Sequence, residues 1–244
     1  MEDYQWIEGA VAVEAVLRAQ SREMAELLIS RERFDGRVAR LQQLARELGV
    51  AVSRVSAATI GERVPGEAHG GVIAKVGARR MSALDDLFVP AAPVIFILDG
   101  VEDPYNFGQA VRSMYAAGID GLVVPTRNWL SAAGTVVRAS AGASEHMPTA
   151  AATAVDAIAM AQSRQIPVGV ATADKAQPMN ELDLAGPLLL VIGGEKRGIA
   201  RAVEEAADWR VSIPYGREVG YALGAAAAVA ILSFEILRQR RMKS

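Results

Sequence analysis

The sequence has 244 residues and contains no cysteine and only two histidines, His69 and His146. The absence of cysteine excludes disulfide bonds, thiol nucleophiles and cysteine-ligated metal sites. With so few histidines, neither a histidine-rich metal centre nor a Ser-His-Asp hydrolase is favoured. We therefore expect no metal site in this protein.

The sequence also lacks an excess of positive charge and a long apolar run. It has 26 basic and 28 acidic residues, so its composition provides no general attraction to nucleic acid. The alanine-rich run from Leu223 to Leu237 is interrupted by Ser233 and Glu235 and is shorter than the roughly 20 apolar residues of a membrane span. The first ten residues lack the basic and apolar regions of a secretory signal. We expect a cytoplasmic protein with no membrane segment.

The composition that remains is that of a globular protein, with 51% hydrophobic and 22% charged residues. This length suits one large or two modest domains. Residues 1–80 alternate short helical and strand patterns, which predict a small α/β domain. Asp35 is the predicted N-cap of a helix that runs through Glu47, and Gly49 is its predicted C′ residue. Residues 81–92 are mixed, charged and contain proline, and they are predicted to be a linker.

Residues 93–244 contain several continuous apolar runs with helical patterns between them. Such runs are typical of strands that are buried on both faces of a parallel sheet. Their alternation predicts an α/β fold in which helices cover both faces of a parallel sheet. Ligands of these sheets bind beyond the carboxyl ends of the strands, so the turns at those ends are candidate functional segments. The apolar runs are 94–98, 122–124, 168–171, 188–192 and 211–213.

The first candidate turn follows the apolar run 94–98 and enters a helix that carries Asn106 and Arg112. Asn106 has two interpretations, since its side chain can cap the helix or orient a polar ligand. Arg112 can likewise pair with Glu102 or Asp103, or bind a phosphate or ribose through its forked donors. The turn taken alone does not decide between these alternatives.

The second candidate turn places Gly193, Gly194 and Gly198 after a buried strand. Glycines there let backbone groups approach a ligand closely, although a plain tight turn fits as well. The pattern is neither a GxGxxG fingerprint nor a P-loop, which disfavours a dinucleotide or a nucleoside triphosphate. Glu195, in the same turn, also fits a surface ion-pair network.

The third candidate turn begins at Pro214 and leads through a glycine-containing loop into an alanine-rich helix. Its small residues allow close approach of neighbouring helices. Taken alone, the segment indicates tight packing or a dimer face.

These turns and one further segment occur in a recognisable order. The motifs are Asn106-x-Gly108-x-x-x-Arg112, then Ser140-Ala141-Gly142-Ala143-x-Glu145-His146-x-Pro148, then Gly193-Gly194-Glu195-x-x-Gly198, then Ile213-Pro214. Their combination over residues 93–240 resembles the SpoU/TrmH family of RNA ribose 2′-O-methyltransferases, within the SPOUT superfamily. Residues 1–80 more loosely resemble the small ribosomal-protein-like RNA-binding domain that is often attached to such enzymes.

The resemblance implies a C-terminal trefoil knot, S-adenosylmethionine as cofactor and a homodimer. It places Gly193, Ile213 and Leu223 at the backbone positions that hold the adenosine. Thr172 and Gly194 are expected near the same cofactor.

The resemblance also implies the reaction and its catalytic residues, Asn106, Arg112 and Glu195. Arg112 would bind the adjacent phosphate and stabilise the developing alkoxide, while Asn106 would orient Arg112 or the ribose. The expected activity is 2′-O-methylation of a ribose in structured RNA, with rRNA favoured over tRNA.

RNA recognition is expected to fall to residues 1–80. The candidate RNA contacts are His69 and four residues of the densest basic stretch, Arg18, Arg22, Arg31 and Arg33. His69 precedes two glycines, and closing a turn is the favoured interpretation of its side chain.

One departure from the family pattern lies at the start of the last helix. Where the family commonly has Ser-Leu-Asn, this sequence has Ala222-Leu223-Gly224. Backbone contacts to the cofactor can survive this change, whereas the polar side chains are lost. Another polar group such as Tyr221 or Arg217 substitutes, or the enzyme is weakened. The alternative function is a non-catalytic RNA-binding or ribosome-assembly factor that keeps the fold.

Overall fold

The computed structural model of the chain describes residues 4–126, 132–194 and 198–243. Contacts within the chain divide it into two compact units. Unit 1 consists of Met1–Arg80 and Asn128–His146, and unit 2 consists of Met81–Arg127 and Met147–Ser244. The chain therefore changes unit after residues 80, 127 and 146.

Within the described residues, unit 1 is built on a sheet of four strands. These are β1 (Gln5–Glu8), β2 (Arg22–Ser30), β3 (Val52–Val55) and β4 (Val72–Arg79). The order is β1-β4-β2-β3, with β4 antiparallel to β1 and β2, and β3 parallel to β2. The expected N-terminal α/β domain is therefore present.

The side chains of β2 alternate between two apolar layers, as the pleat of a strand requires. Leu27 and Ile29 belong to the main core of unit 1. Leu28, between them, belongs to a smaller cluster with Ile60. Helices α1 (Ala10–Ala19), α2 (Gly36–Glu47) and α3 (Ala57–Arg63) supply side chains to these layers.

Helix α2 begins and ends as predicted. The Asp35 carboxylate accepts hydrogen bonds from the backbone N–H groups of Arg37 and Val38, both at 2.9 Å. Gly49 follows the helix with a φ of 70°, a left-handed conformation that glycine adopts without penalty.

Beyond β4 the chain alternates strands with helices, as predicted. The strands are β5 (Val94–Asp99), β6 (Gly121–Val124), β7 (Thr149–Ala151), β8 (Val168–Ala171), β9 (Gln177–Pro178), β10 (Leu188–Gly193) and β11 (Trp209–Ser212). The helices are α4 (Pro104–Ala117), α5 (Ala133–Ala139), α6 (Ala143–His146), α7 (Ala154–Ser163), α8 (Arg201–Glu205) and α9 (Ala225–Lys243).

The described strands of unit 2 form one parallel sheet in the order β7-β6-β5-β10-β8-β11-β9. Strands β5, β8 and β10 are buried along almost their whole length, which explains their continuous apolar sequences. Gly193 lies opposite Asp99, and Ile192 lies opposite Ala171. The carboxyl ends of three adjacent strands therefore meet at one edge of the sheet.

Helices α5 and α6 follow β6 along the chain but belong to unit 1. Val137 of α5 is fully buried in the main core of unit 1. A Cβ at Gly142 would lie 2.5 Å from the Cβ of Ala15 in α1. The predicted domain of residues 93–244 therefore needs correction, because α5 and α6 within it pack with the N-terminal residues of unit 1.

The predicted linker over residues 81–92 also needs correction. Leu87 and Phe88, on a 3-10 helix at Asp85–Phe88, are 2% and 6% exposed and belong to the core of unit 2. The Ser82 N–H donates to the Thr149 carbonyl at 2.8 Å. The segment is fixed because two apolar side chains within a polar stretch are buried.

Helix α9 ends in basic side chains that are paired within unit 2. Arg238 contacts Glu235 at 2.7 Å, and Lys243 contacts Asp183 at 2.6 Å. In the described part of the chain, no helix combines the length and apolar character that crossing a bilayer requires.

Candidate active site

A cavity of about 1160 Å³ lies at the carboxyl ends of β8, β10 and β11. Its volume is slightly above the roughly 300–1,000 Å³ of typical small-molecule sites. Turns after the three strands and the first residues of α9 form its walls. All five residues predicted to bind the cofactor line it: Thr172, Gly193, Gly194, Ile213 and Leu223.

Glycine is required at positions 193 and 194, at the end of β10, because other backbone segments pass very close to both residues. The Gly194 N–H donates to the Asp99 carbonyl at 2.6 Å, and a Cβ at Gly194 would overlap the Gly100 carbonyl group. A Cβ at Gly193 would lie 2.8 Å from the carbonyl carbon of Gly198. The loops after β5 and β10 therefore pass each other at a distance that only glycine permits, beside the cavity.

We expect Gly194→Ala to lower the free energy of unfolding of unit 2 by about 1–3 kcal/mol, because the added methyl group forces the two loops apart. The displaced loop should also weaken binding of S-adenosylmethionine, since Gly194 lines the cavity. Thermal unfolding measures the first effect and calorimetric titration the second.

Gly220→Ala is the matched control for this substitution. Gly220 also lines the cavity, but nothing lies within 4 Å of the place where its Cβ would stand. Equal unfolding temperatures and equal cofactor affinities for the two variants would contradict the assigned role of Gly194.

A hydrogen bond that the sequence did not predict connects two parts of the cavity wall. The Leu223 N–H donates to the phenol oxygen of Tyr215 at 3.0 Å, and both residues line the cavity. Of the two side chains considered as substitutes for the lost polar groups, Tyr221 lines the cavity and is 70% exposed. Arg217 is exposed and does not line it. Tyr215 is therefore the polar side chain that the structure places against the altered segment.

We expect Tyr215→Phe to raise the Kd for S-adenosylmethionine by about 2- to 12-fold, because the loss of one hydrogen bond costs about 0.5–1.5 kcal/mol. The Leu223 backbone would then be held less firmly at the cavity wall. Tyr221→Phe is the control, because the described residues offer the Tyr221 hydroxyl no hydrogen bond. Tighter binding by Tyr215→Phe would mean that the hydroxyl competes with the cofactor.

Helix α4 carries the first motif and starts close to the same sheet edge. The Asp103 carboxylate caps it by accepting the Asn106 N–H at 2.7 Å. The interpretation of Asn106 as the cap is therefore wrong, and its side-chain amide makes no hydrogen bond within the described residues. Arg112 is exposed and pairs with no described carboxylate.

The catalytic candidates do not all lie at the cavity. Neither Asn106 nor Arg112 lines it, and Arg112 lies about 9 Å farther along the axis of α4 than Asn106. Glu195, the third candidate, lies outside the described residues. Across residues 4–126, 132–194 and 198–243, no group of three or more His, Asp or Glu side chains is placed to hold a metal.

Three candidate RNA contacts lie together in unit 1. Arg33 donates to the Gly70 carbonyl, and Nδ1 of His69 accepts the Gly71 N–H at 2.9 Å. Arg31 is exposed in the same loop as Arg33. The turn-closing interpretation of His69 is therefore confirmed, and the structure brings His69 close to Arg33.

Arg22, another candidate RNA contact, is buried. Its side chain is 5% exposed and donates to the Glu145 carboxylate from Nε at 2.9 Å and from Nη2 at 3.1 Å. The Ser21 hydroxyl donates to the same carboxylate at 2.5 Å. The prediction that Arg22 contacts RNA is wrong, because its guanidinium is engaged inside unit 1. Arg18 is half exposed and pairs with Glu14 at 2.9 Å.

Comparison with curated proteins finds relatives that match along nearly the whole chain. A Shewanella oneidensis protein named 23S rRNA (guanosine-2′-O-)-methyltransferase RlmB is 34% identical, covering 99% of this chain and 100% of the relative. The Pseudomonas aeruginosa protein of the same name is 32% identical and covers 98% of each chain.

Solved structures resemble the chain over a similar extent. A crystal structure of an RNA 2′-O ribose methyltransferase aligns with a TM-score of 0.78 at 26% identity, covering 98% of this chain and 90% of that chain. An AdoMet-bound rRNA methyltransferase from Sinorhizobium meliloti gives a TM-score of 0.81 at 23% identity, covering 96% and 87%, and this likeness concerns the fold alone.

Two family models match consecutive parts of the chain. Residues 6–82 match the model for RNA 2′-O ribose methyltransferase substrate binding. Residues 93–234, more than half of the chain, match the model for the SpoU rRNA Methylase family. The resemblance inferred from the motifs is therefore confirmed, and this chain belongs to the SpoU rRNA Methylase family.

Proposed function

We propose that this chain transfers a methyl group from S-adenosylmethionine to the 2′-oxygen of a ribose in ribosomal RNA. The observation that carries the proposal is the one cavity that all five predicted cofactor residues line. The Shewanella and Pseudomonas relatives support the substrate, because both are named 23S rRNA guanosine-2′-O-methyltransferases. Their similarity extends over both units of the chain, which supports RNA binding by unit 1 and methyl transfer by unit 2.

The residues of the cavity fit this cofactor. Gly193 and Gly194 line the cavity without side chains that would fill it, Ile213 and Leu223 offer apolar contact for an adenine ring, and Thr172 adds a hydroxyl. The backbone groups of Gly193, Ile213 and Leu223 would hold the adenosine, and none of them depends on the side chains that the departure from Ser-Leu-Asn removes. When bound, S-adenosylmethionine would supply an electrophilic methyl group to the ribose 2′-oxygen and leave as S-adenosylhomocysteine, while the 2′-hydroxyl proton would pass to a phosphate oxygen or to water.

Arg112 and Asn106 act on the RNA in this proposal. The exposed guanidinium of Arg112 is available for the phosphate next to the target ribose, and it stabilises the negative charge that develops on the 2′-oxygen. Asn106, whose amide is not used as a cap, orients Arg112 or the ribose. Glu195 is proposed as the third member of the site on the family resemblance alone.

We further propose a trefoil knot, helices on both faces of the unit 2 sheet, and a homodimer, as the family resemblance implies. The close passage of Gly194 by Gly100 supports a threaded arrangement of the loops. Helices α4 and α9 pack together and expose Tyr105 and Phe234, at 57% and 49%, which supports a dimer face on these helices. A second copy on this face would also account for an Arg112 that does not line its own cavity. Sedimentation velocity tests the dimer.

Unit 1 binds the RNA substrate in this proposal. Arg31, Arg33 and His69 lie close together, and Arg18 is a further exposed cation. Cations in such positions contact phosphates and make binding depend on salt. Because ribosomal RNA is the proposed substrate, we expect the protein to act in the cytoplasm.

Transfer of tritium from methyl-labelled S-adenosylmethionine to ribosomal RNA tests the proposed function. The RNA is taken from cells that lack the gene, so that the target ribose is unmodified. We expect label in the RNA and one new position that resists alkaline cleavage, because a 2′-O-methyl group removes the internal nucleophile. RNA and cofactor binding without transfer would favour the non-catalytic assembly factor instead.

A further inference from the structure

We propose that Phe34 and Arg54 of unit 1 form a stacking platform for one unpaired nucleobase of the RNA. The proposal rests on the proposed function only in taking RNA as the ligand. Phe34 lies in the loop between β2 and α2, and Arg54 lies on β3. Neither residue is a candidate on sequence grounds, because they become neighbours only when β2 and β3 pair.

Phe34 is the most exposed large apolar side chain in the described part of the chain, at 82%. Burial of a phenylalanine side chain is favourable, and unit 1 leaves this contribution available to a ligand. Single exposed apolar residues are common on proteins, so exposure alone assigns no role. What distinguishes Phe34 is the fixed cation against its ring.

The Arg54 guanidinium lies 4.7 Å from the centroid of the Phe34 ring, within the range of a cation–π interaction. Its Nη2 donates to the carbonyl of Arg31 at 3.2 Å and to that of Arg33 at 2.8 Å. These bonds attach the guanidinium to the same loop that carries Phe34. Ring and cation are therefore held in place before any ligand arrives, which reduces the entropy lost on binding.

The surroundings of the platform favour an anionic ligand. Arg31, Arg33 and Arg37 flank Phe34 in the sequence, while Glu32 and Asp35 are the acidic residues of the same loop. Both carboxylates already have partners: Glu32 accepts from the Ser30 hydroxyl, which lowers the pKa of Glu32, and Asp35 caps α2. Arg33 pairs with Asp35 at 2.9 Å. With Arg54 included, this part of unit 1 carries four arginines and two carboxylates, so positive charge is in excess where a nucleotide phosphate would lie.

The geometry favours an unpaired base over the other possible ligands. A base inside a duplex has both faces covered by its neighbours, whereas an unpaired base offers a free face to an aromatic ring. A stable protein interface buries about 1,200–2,000 Å². Elsewhere in the described residues of unit 1, the exposed large apolar side chains are Val11 and Leu48, at 44% and 36%, and both lie outside this loop. One isolated aromatic ring among arginines therefore suits a nucleotide better than a protein.

Fluorescence anisotropy of labelled RNA with the full-length protein tests the platform. The probes are a short single-stranded oligouridylate and an RNA duplex of the same length. We expect Phe34→Ala to raise the Kd for the single strand by about 5- to 150-fold, the loss that one base–aromatic stack produces. The Kd for the duplex should stay within about twofold, as expected for a surface substitution.

Two further variants make the test specific. Phe34→Trp keeps an aromatic face and should retain the affinity for the single strand. Val155→Ala is the control, since it removes another apolar side chain that is 63% exposed, on α7 of unit 2. Ultraviolet cross-linking of the single strand should place a nucleotide on the peptide that contains Phe34, a readout that does not depend on a destabilised variant.

The outcomes separate the platform from the proposed function, because wild-type methyl transfer to ribosomal RNA is measured on the same preparation. Transfer by the wild type with unchanged single-strand affinity in Phe34→Ala would overturn the platform and leave the function standing. Selective loss of single-strand affinity without any wild-type transfer would support the platform and reject the function. Loss of self-association in Phe34→Ala would reassign the ring to a contact between copies of the chain.

Discussion

Arg112→Ala is expected to lower the rate of methyl transfer by about 100- to 1000-fold, the loss that follows removal of one donor to a developing negative charge. Affinity for S-adenosylmethionine should be unchanged, because Arg112 does not line the cavity. Arg112→Lys keeps the charge without the forked donors, so its rate should lie between those of the wild type and the alanine variant. Initial rates of tritium transfer to ribosomal RNA and calorimetric titration of the cofactor measure the two quantities.

Arg201→Ala is the matched control for Arg112→Ala. Arg201 is also an exposed arginine of unit 2, on α8, with 90% of its side chain accessible and a surface pair to Glu205. Its removal should change the rate little if the effect at position 112 is specific. An equal loss of rate in both variants would indicate that these arginines only attract RNA in general. Loss of cofactor binding in Arg112→Ala would instead place Arg112 at the S-adenosylmethionine site.

Glu145→Ala is expected to lower the stability of unit 1 by about 3–5 kcal/mol, because it leaves the buried Arg22 guanidinium without its carboxylate. Arg79 adds to the effect. Burial lowers the pKa of Arg79, Glu145 opposes that shift, and Arg22 adds to it. Without the carboxylate, two guanidinium groups would face each other in a poorly solvated place. Amide hydrogen exchange in β2 and α5 measures the loss.

The double variant Arg22→Met, Glu145→Leu separates the cost of an unpaired charge from the value of the pair. Removing both charges together should restore part of the stability, since apolar replacements of a buried pair are often neutral, while Arg79 still lacks the carboxylate. Arg18→Ala removes the half-exposed pair with Glu14 and should cost only about 0.3–0.5 kcal/mol. A Glu145→Ala effect as small as that of Arg18→Ala would mean that water reaches the buried pair.

The features that could be predicted from the sequence depend on local pattern. Strands such as β5 and β10 are continuous apolar runs, since both faces of a parallel sheet are covered. The cap at Asp35 and the glycine at position 49 depend on residues within one turn of the helix end. The cofactor residues followed from the family resemblance, and all five line one cavity.

The features that could not be predicted depend on contacts across the sequence. Arg22 has the charge of an RNA contact, but its partner Glu145 lies 123 positions away. Helices α5 and α6 consist largely of small residues, which produce no helical periodicity. Strand β9 has two residues and ends in Pro178, at an edge where proline is tolerated. The role of Tyr215 in the cavity wall depends on the fold of the loop, which places its hydroxyl against the Leu223 N–H.

The insertion of α5 and α6 into unit 1 has a consequence for synthesis of the protein. A nascent chain that has emerged as far as residue 80 carries all four described strands of unit 1 but neither Val137 nor Glu145, which complete its interior. Strands β5 and β6 leave the ribosome before those residues do. Unit 1 therefore begins to emerge before unit 2 but is complete only after part of unit 2 has appeared. An isolated fragment that ends at residue 80 would present an open apolar gap beside an unneutralised arginine.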